Sequence, residues 1–264
     1  EAFLPVNMFK ASLGITENIT IEPFWLLEFR RNELEPAGSY FSTNDFASRG
    51  GSQVWLGFGS LADNGTLGNI SRANDRTGGD YGQYGVAVRA LVPRLNNAEI
   101  GLYYANYSSR SPLLSSRTPT APINTDLTGP LAIAFVQGGL PAATAAAQAS
   151  FVFTAIVKSL LAPQTLTPTE TATLQSPQIQ AAIAGARKIA LLQAAATGRY
   201  FAEYPEDIKM TGVSFNTALG NTGISWQGEA AFRKDVPLQL DDVELLFATL
   251  SSLTDSADAA FGSN

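Results

Sequence analysis

The stretch Ile19–Leu34, ITIEPFWLLEFRRNEL, decides how the chain is read. Taking every second residue gives Ile19, Ile21, Pro23, Trp25, Leu27 and Phe29, a wholly apolar set. The residues between them are Thr20, Glu22, Phe24, Leu26, Glu28 and Arg30. Successive side chains of a strand point to opposite faces, so this alternation marks a strand lying between two different surroundings. The apolar face must meet either a protein core or lipid.

The pattern recurs in pairs. Met8–Ile15 precedes the short turn TEN and the opening stretch. GQYGVAVRALVP sets Tyr84, Val86, Val88, Ala90 and Val92 against Gln83, Gly85, Ala87, Arg89 and Leu91. It leads through PRLNNA to EIGLYYANYSSR, where Ile100, Leu102 and Tyr104 alternate with Glu99, Gly101 and Tyr103. IKMTGVSFNTALG meets ISWQGEAAFRKD across Gly220–Gly223, with Trp226 and Phe232 opposing Gln227, Glu229 and Arg233. Gly and Asn in the connections are hairpin chemistry. These turns are tight, whereas Glu33–Tyr81 and Ser111–Gly198 are long. Short turns at one end and long loops at the other is the layout of an outer-membrane barrel.

The second long connection is Ala-rich. LPAATAAAQASFVFTAIVKSLLAP ends at Pro163. Thr167, Pro168 and Glu170 form a capping-box signal, and Ser176–Pro177 opens a segment with Gly198 as its C-cap. Ile179, Ile183, Ala186 and Ala190 fall on one helical face. Two or three helices are expected here. Small side chains bury little area, so these helices should gain little from packing on themselves and should lodge at a barrel mouth as a plug.

Composition narrows the function. The 264 residues are 45% hydrophobic but only 15% charged, against about 25% in ordinary soluble chains. The net charge of −6 and pI near 4.7 argue against nucleic acid as a partner. There is no cysteine and no histidine, which removes disulfides, thiol chemistry and the commonest general base. No uninterrupted apolar run reaches the roughly 20 residues of a spanning helix, and Ala149–Ala162 carries Lys158. Barrel strands need only about 10 residues and escape that test. The opening EAFLPVNMFK has neither a basic start nor an apolar core, so a processed or partial chain is expected.

No catalytic constellation emerges. GVSFN lacks the last glycine of a nucleophile elbow. The acidic clusters Glu203, Glu206, Asp207 and Asp241, Asp242, Glu244 read as turns. Asp63, Asn64, Asn69, Asn74, Asp75 and Asp80 make an oxygen-rich loop, but their spacing is not that of an EF-hand. The expectation is no enzyme, no metal and no cofactor.

LPVNMFKASLGITENITIEPFWLLEF, EPAGSYFSTNDFASRGG, YGVAVRALVPRLNNAEIGLYYANYSSRSPLLS and RYFAEYPEDIKMTGVSFNTALGNTGISWQGEAAFRKDVPLQLDDVELLFA together resemble a large proteobacterial family catalogued as domain of unknown function 1302. The resemblance implies a transmembrane β-barrel in the bacterial outer membrane that handles hydrophobic compounds. It also implies partners: an outer-membrane lipoprotein and an inner-membrane exporter. Relatives carry cysteines flanking the YFSTNDF run, where this chain has Ala37 and Gly51 nearby, and they are about twice as long. About six strands are legible here, short of the roughly eight that close a barrel. The chain is therefore expected to be the middle of a longer protein.

The resulting expectation is a mainly β fold: part of an antiparallel transmembrane β-barrel with a helical loop insertion. Residues 1–130 would form hairpins with a long loop near 33–81, residues 131–198 the helical plug or cap, and residues 199–264 further barrel strands. Glu22, Glu28, Arg30, Arg89, Glu99, Glu229 and Arg233 would face a lumen. Ile21, Trp25, Leu27, Phe29, Val86, Val88, Ile100, Leu102, Trp226 and Phe232 would face outer-membrane lipids. The function would be a conduit or assembly component for hydrophobic compounds or lipids. A soluble or surface-exposed adhesin-like binding protein with the same alternation is the alternative.

Overall fold

The computed structural model describes residues 4–42, 45–56, 67–220 and 222–261, with side chains up to 253. Its strands are β1 (Met8–Lys10), β2 (Leu13–Thr16), β3 (Ile19–Leu26), β4 (Gln53–Trp55), β5 (Asn69–Arg72), β6 (Tyr84–Val92), β7 (Ala98–Tyr107), β8 (Leu113–Arg117), β9 (Arg199–Glu203), β10 (Ile208–Ala218) and β11 (Ser225–Lys234). The helices are α1 (Thr128–Gln137), α2 (Ala142–Leu161), α3 (Pro168–Gln175), α4 (Pro177–Ala195) and α5 (Asp242–Phe261). They fall into two compact units. One comprises Glu1–Gly51, Asn74–Ser115 and Phe201–Leu240, and the other Ser52–Ala73, Ser116–Tyr200 and Asp241–Asn264.

The first unit is built on a seven-stranded sheet in the order β1-β3-β6-β7-β10-β11, with β2 also paired to β3. Every pairing in it is antiparallel. β1 and β2 lie along the same side of β3, and Pro23 accounts for the break between them. Its carbonyl accepts from the Ala11 N–H, so that side of Pro23 faces the broken edge. Proline has no N–H to return, and a ladder with a missing donor is tolerated only at an edge. The tight turn between β6 and β7 is made by Asn96 and Asn97, at φ of 55° and 56°, the left-handed region that asparagine tolerates.

The sheet is open. Among the described residues β11 pairs only with β10, and no closed barrel forms. The expected antiparallel β architecture with helices is present, but strand alternation stops at Leu26. Leu27, Glu28, Phe29 and Arg30 lie past the end of β3 and belong to neither face.

The second unit holds the five α-helices found among the described residues. β4 pairs with β5, and β5 runs parallel to the start of β9; both short strands lie within the segment expected to be one long loop. Helices begin at Thr128 and number four before β9. The Thr167–Glu170 capping box forms in full. Gly198 is not the cap of α4, which ends at Ala195 with Ala196 behind it. α2 lies within the Ala-rich segment, and at 20 residues it is long and apolar enough to cross a membrane by length and composition, although its apolar run is interrupted by Lys158.

The small side chains pack inward rather than needing another wall. Ala145, Ala149, Ala155 and Ala186 are fully enclosed together with Leu131 and Val152. Alanines let helix backbones approach closely, so dispersion contacts replace the area that larger side chains would bury. Residues 242–261, expected as barrel strand, form α5. Asp241 caps it by accepting from the Val243 and Glu244 N–H groups at 3.0 and 3.2 Å.

Candidate functional site

The register of the seven-stranded sheet assembles its two faces residue by residue. Pro23, Val86, Tyr104, Thr211 and Phe232 form one row across β3, β6, β7, β10 and β11. The next row is Ile21, Val88, Leu102, Val213 and Ala230, and the one after it Ile19, Ala90, Ile100, Phe215 and Gly228. Trp25 and Tyr84 head this face with their rings 5.9 Å apart, and Tyr84 stands 6.3 Å from Tyr104. At the far end Phe215 meets Trp226 edge-on at 4.8 Å, its ring lying over Gly228 where a side chain would collide with it. From the Lys234 row to the Trp226 row the face extends about 26 Å along β11 at roughly 3.3 Å per residue.

These side chains are uncovered. Phe9, Leu102, Trp226 and Phe232 are each more than half exposed, and Val86, Val88, Ile21 and Ile100 are half-buried. Eight of the ten apolar residues singled out from the sequence share this face; Leu27 and Phe29 do not. Leu27 is exposed beyond the strand end. The Phe29 ring packs edge-on against Tyr204 at 5.7 Å and closes on Gly78.

The opposite face is mixed and carries the charged residues, interspersed with Phe24, Ala87, Leu91 and Met210. Glu22, Arg89, Glu99, Glu229 and Arg233 all lie on it by register. Glu22 gathers Arg89 at 3.0 Å, Lys10 at 3.7 Å and the Ser12 hydroxyl at 3.4 Å. Arg89, Gly101, Ser214 and Glu229 share one row. Gly101 leaves room for the Tyr103 phenol to lean across and meet the Ser214 hydroxyl at 2.9 Å; any Cβ there would strike both. Glu99, Ser214, Asn216, Gln227 and Glu229 border a cleft of about 580 Å³. The remaining two lumen candidates, Glu28 and Arg30, pair with each other at 3.1 Å past the strand end. The Asn7 N–H, and then Arg30, hold the Glu28 carboxyl below its usual range.

The acidic clusters bond to backbone N–H groups and to neighbouring side chains. Glu206 accepts from the Gly79 N–H, and Asp207, at φ 60°, accepts from Asn106 Nδ2 at 3.0 Å. Glu203 pairs with Arg76 at 3.3 Å and accepts from Ser115 at 3.0 Å. With Tyr204 on Phe29, the YPEDI run fastens the loop after residue 76 to the start of β10. Asp75 accepts from the Ala202 N–H and pairs with Arg31, and Asp80 accepts from the Phe29 N–H. Asp63 and Asn64 lie outside the described residues, among which no three acidic side chains group as a metal site would require. Sequence reading missed the Tyr103–Ser214 bridge and the YPEDI fastening. The only cue to the first was Gly101, a glycine inside a strand.

An antiparallel sheet with one apolar face and one that carries the charges, accompanied by a helical unit, is the class of protein these features define. The chain belongs to the DUF1302 family, described as a protein of unknown function, whose model matches residues 1–261. No curated protein and no solved structure matches it.

Proposed function

We propose that the seven-stranded sheet is part of the wall of a transmembrane β-barrel in the bacterial outer membrane, and that the protein is a conduit or assembly component for hydrophobic compounds or lipids. One observation supports this above the rest: an uncovered apolar face spans five long strands, with aromatic rings near both ends. Soluble proteins rarely expose contiguous apolar patches beyond a few hundred Å². Outer-membrane barrels carry an apolar band about 25 Å tall between aromatic girdles, and line their interior with polar side chains. Glu22, Arg89, Glu99, Glu229 and Arg233 suit such an interior. An open edge is not tolerated in hydrocarbon, so further strands would complete the wall.

In this reading the tight turns face the periplasm and the long connections face outward. An outer-membrane lipoprotein and an inner-membrane exporter are the partners that would hand over or receive the cargo.

Brominated lipid chains quench tryptophan that touches them, and Trp25 and Trp226 stand at the two ends of the apolar face. In a Trp55→Phe background, both should be quenched after reconstitution in brominated phosphatidylcholine vesicles. Unquenched emission from a protein that stays dissolved without detergent would instead favour the adhesin-like alternative.

A further inference from the structure

Tyr40, Phe41 and Ser42 of the YFSTNDF run belong to neither a strand nor a helix, and the wall reading leaves them without a role. Two successive turns hold them. The Ser39 N–H donates to the Pro36 carbonyl at 3.1 Å, and Gly38 supplies the φ of 78° that the third residue of such a turn requires. The Ser42 N–H then donates to the Ser39 carbonyl at 3.1 Å, so Tyr40 and Phe41 fill the two central positions of the second turn. The Asp45 carboxylate braces both, accepting from the Gly38 N–H and from the Ser42 hydroxyl, the latter at 2.6 Å. The Ala37 N–H meets the Arg49 carbonyl at 3.0 Å and closes the neck. Central turn positions ordinarily go to Gly, Pro, Asn, Asp or Ser. Here they carry two rings standing at 88° with centroids 5.2 Å apart, Tyr40 95% and Phe41 76% exposed.

We infer that the Tyr40–Phe41 tip inserts into the interfacial zone of a lipid bilayer whose headgroups carry no net charge. Aromatic rings with a polar end settle at the headgroup level, where the Tyr40 phenol stays wet while the Phe41 ring meets the start of the acyl chains. A tip already fixed by two turns loses little conformational freedom on entry. A protein hot spot is ringed by further contacts that keep water out, whereas this pair has the small polar residues Ser39 and Ser42 on either side. That limits the apolar part to two rings and the depth to the interface. Between Glu33 and Gly51 the chain carries three carboxylates, Glu33, Glu35 and Asp45, against one cation, Arg49. An anionic surface would repel such a loop, so ring burial and not charge drives the insertion. The tip lies in the same compact unit as the apolar face of the sheet. The inference rests on the wall reading only for bringing a bilayer to that unit.

The test uses the whole protein in phosphatidylcholine vesicles brominated either near the headgroup end of the acyl chains or near their tips. Phe41→Trp is made in a Trp25→Phe, Trp55→Phe, Trp226→Phe background, which leaves the new indole as the sole one. Its emission should be lost more to the shallow bromines than to the deep ones. Tyr40→Trp in the same background should report the same depth, and Tyr40→Ser beside the Phe41→Trp indole should move the emission to longer wavelength. Emission untouched by either set of bromines, or lost chiefly to the deep set, overturns the inference. Replacing part of the lipid with phosphatidylglycerol at low salt should not increase the loss; an increase overturns the choice of a neutral interface. The wall is read separately, from Trp25 and Trp226 in Trp55→Phe protein. Quenching of those two without the tip indole overturns the inference alone and leaves the tip to a protein partner. Quenching of the tip indole alone supports the inference and overturns the wall.

Discussion

Leu131 and Val152 of the helical unit are wholly enclosed, whereas Leu102 and Phe232 of the sheet are more than half exposed. Both regions satisfy their backbones, one through helical hydrogen bonds and the other through ladders of nine to eleven residues in β6, β7, β10 and β11. They differ in where their apolar side chains go. The helices bury alanine, isoleucine and leucine against one another, as a water-soluble core does. The sheet turns a whole face outward. Local backbone order does not require a protein core; a sheet can be regular while the partner of its apolar face is a solvent.

The largest test of this contrast is one substitution made in both regions. Leu131→Ala should cost about 2–5 kcal/mol, because an enclosed leucine leaves a cavity. On the proposed barrel reading Leu102→Ala should cost under about 1 kcal/mol, since lipid chains would fill the space. Chemical denaturation of the reconstituted protein gives both values. Equal penalties would mean that Leu102 has a protein neighbour.

Next comes Leu102→Arg. At a lipid-facing midplane position arginine costs about 2–4 kcal/mol, so the variant should fail to reach the heat-modifiable form on gels. Glu99→Gln, on the polar face of the same strand, should assemble normally. If both variants assemble alike, the two faces do not see different media.

The helical unit should also show an acid-sensitive step. Lys158, and then the Thr167 N–H and hydroxyl, pull Glu170 down to about 2. Because its folded value lies below the ordinary carboxylate range, its contribution is complete at neutral pH. It starts to fade below about pH 4.5 and is gone once pH falls past about 2. Helical circular dichroism should weaken over that window, and Glu170→Gln should flatten the response. Thr167→Ala, which removes the other half of the capping box, should cost about 1 kcal/mol.

The smallest effect expected is on the polar face. Tyr103→Phe deletes the bridge to Ser214 and should cost about 0.5–1 kcal/mol. A larger loss would show that the bridge sits away from water.

How much of this could be seen in the sequence follows from the range of the forces involved. Alternation in Ile19–Trp25, Tyr84–Val92, Ala98–Tyr107 and Ser225–Lys234 is a local pattern, and it placed eight apolar and five charged candidates on opposite faces of the sheet. It overran into Leu27–Arg30 because periodicity does not register where pairing stops; that is set by Asp80, Glu206 and Tyr204, far away in sequence. The capping box at Thr167 was equally local. Asp241 and Glu244 carry the same start signal for α5, but they sit in a run whose resemblance pointed to strands. β4 and β5 are too short to show any period, and β5 owes its place to a parallel partner more than a hundred residues on.

Pro23 gives the sheet a direction. Along one margin the ladder is interrupted at Ala11 and Ser12, and along the other β11 offers a continuous ten-residue edge on which alternate residues turn their donors and acceptors outward. A short peptide competing for this protein during its biogenesis would find a foothold only at the second margin. An inhibitor of assembly is therefore best patterned on an antiparallel complement of Ser225–Lys234, alternating apolar and polar in that strand's own phase. The same peptide matched to Met8–Thr16 would meet a row already broken by proline.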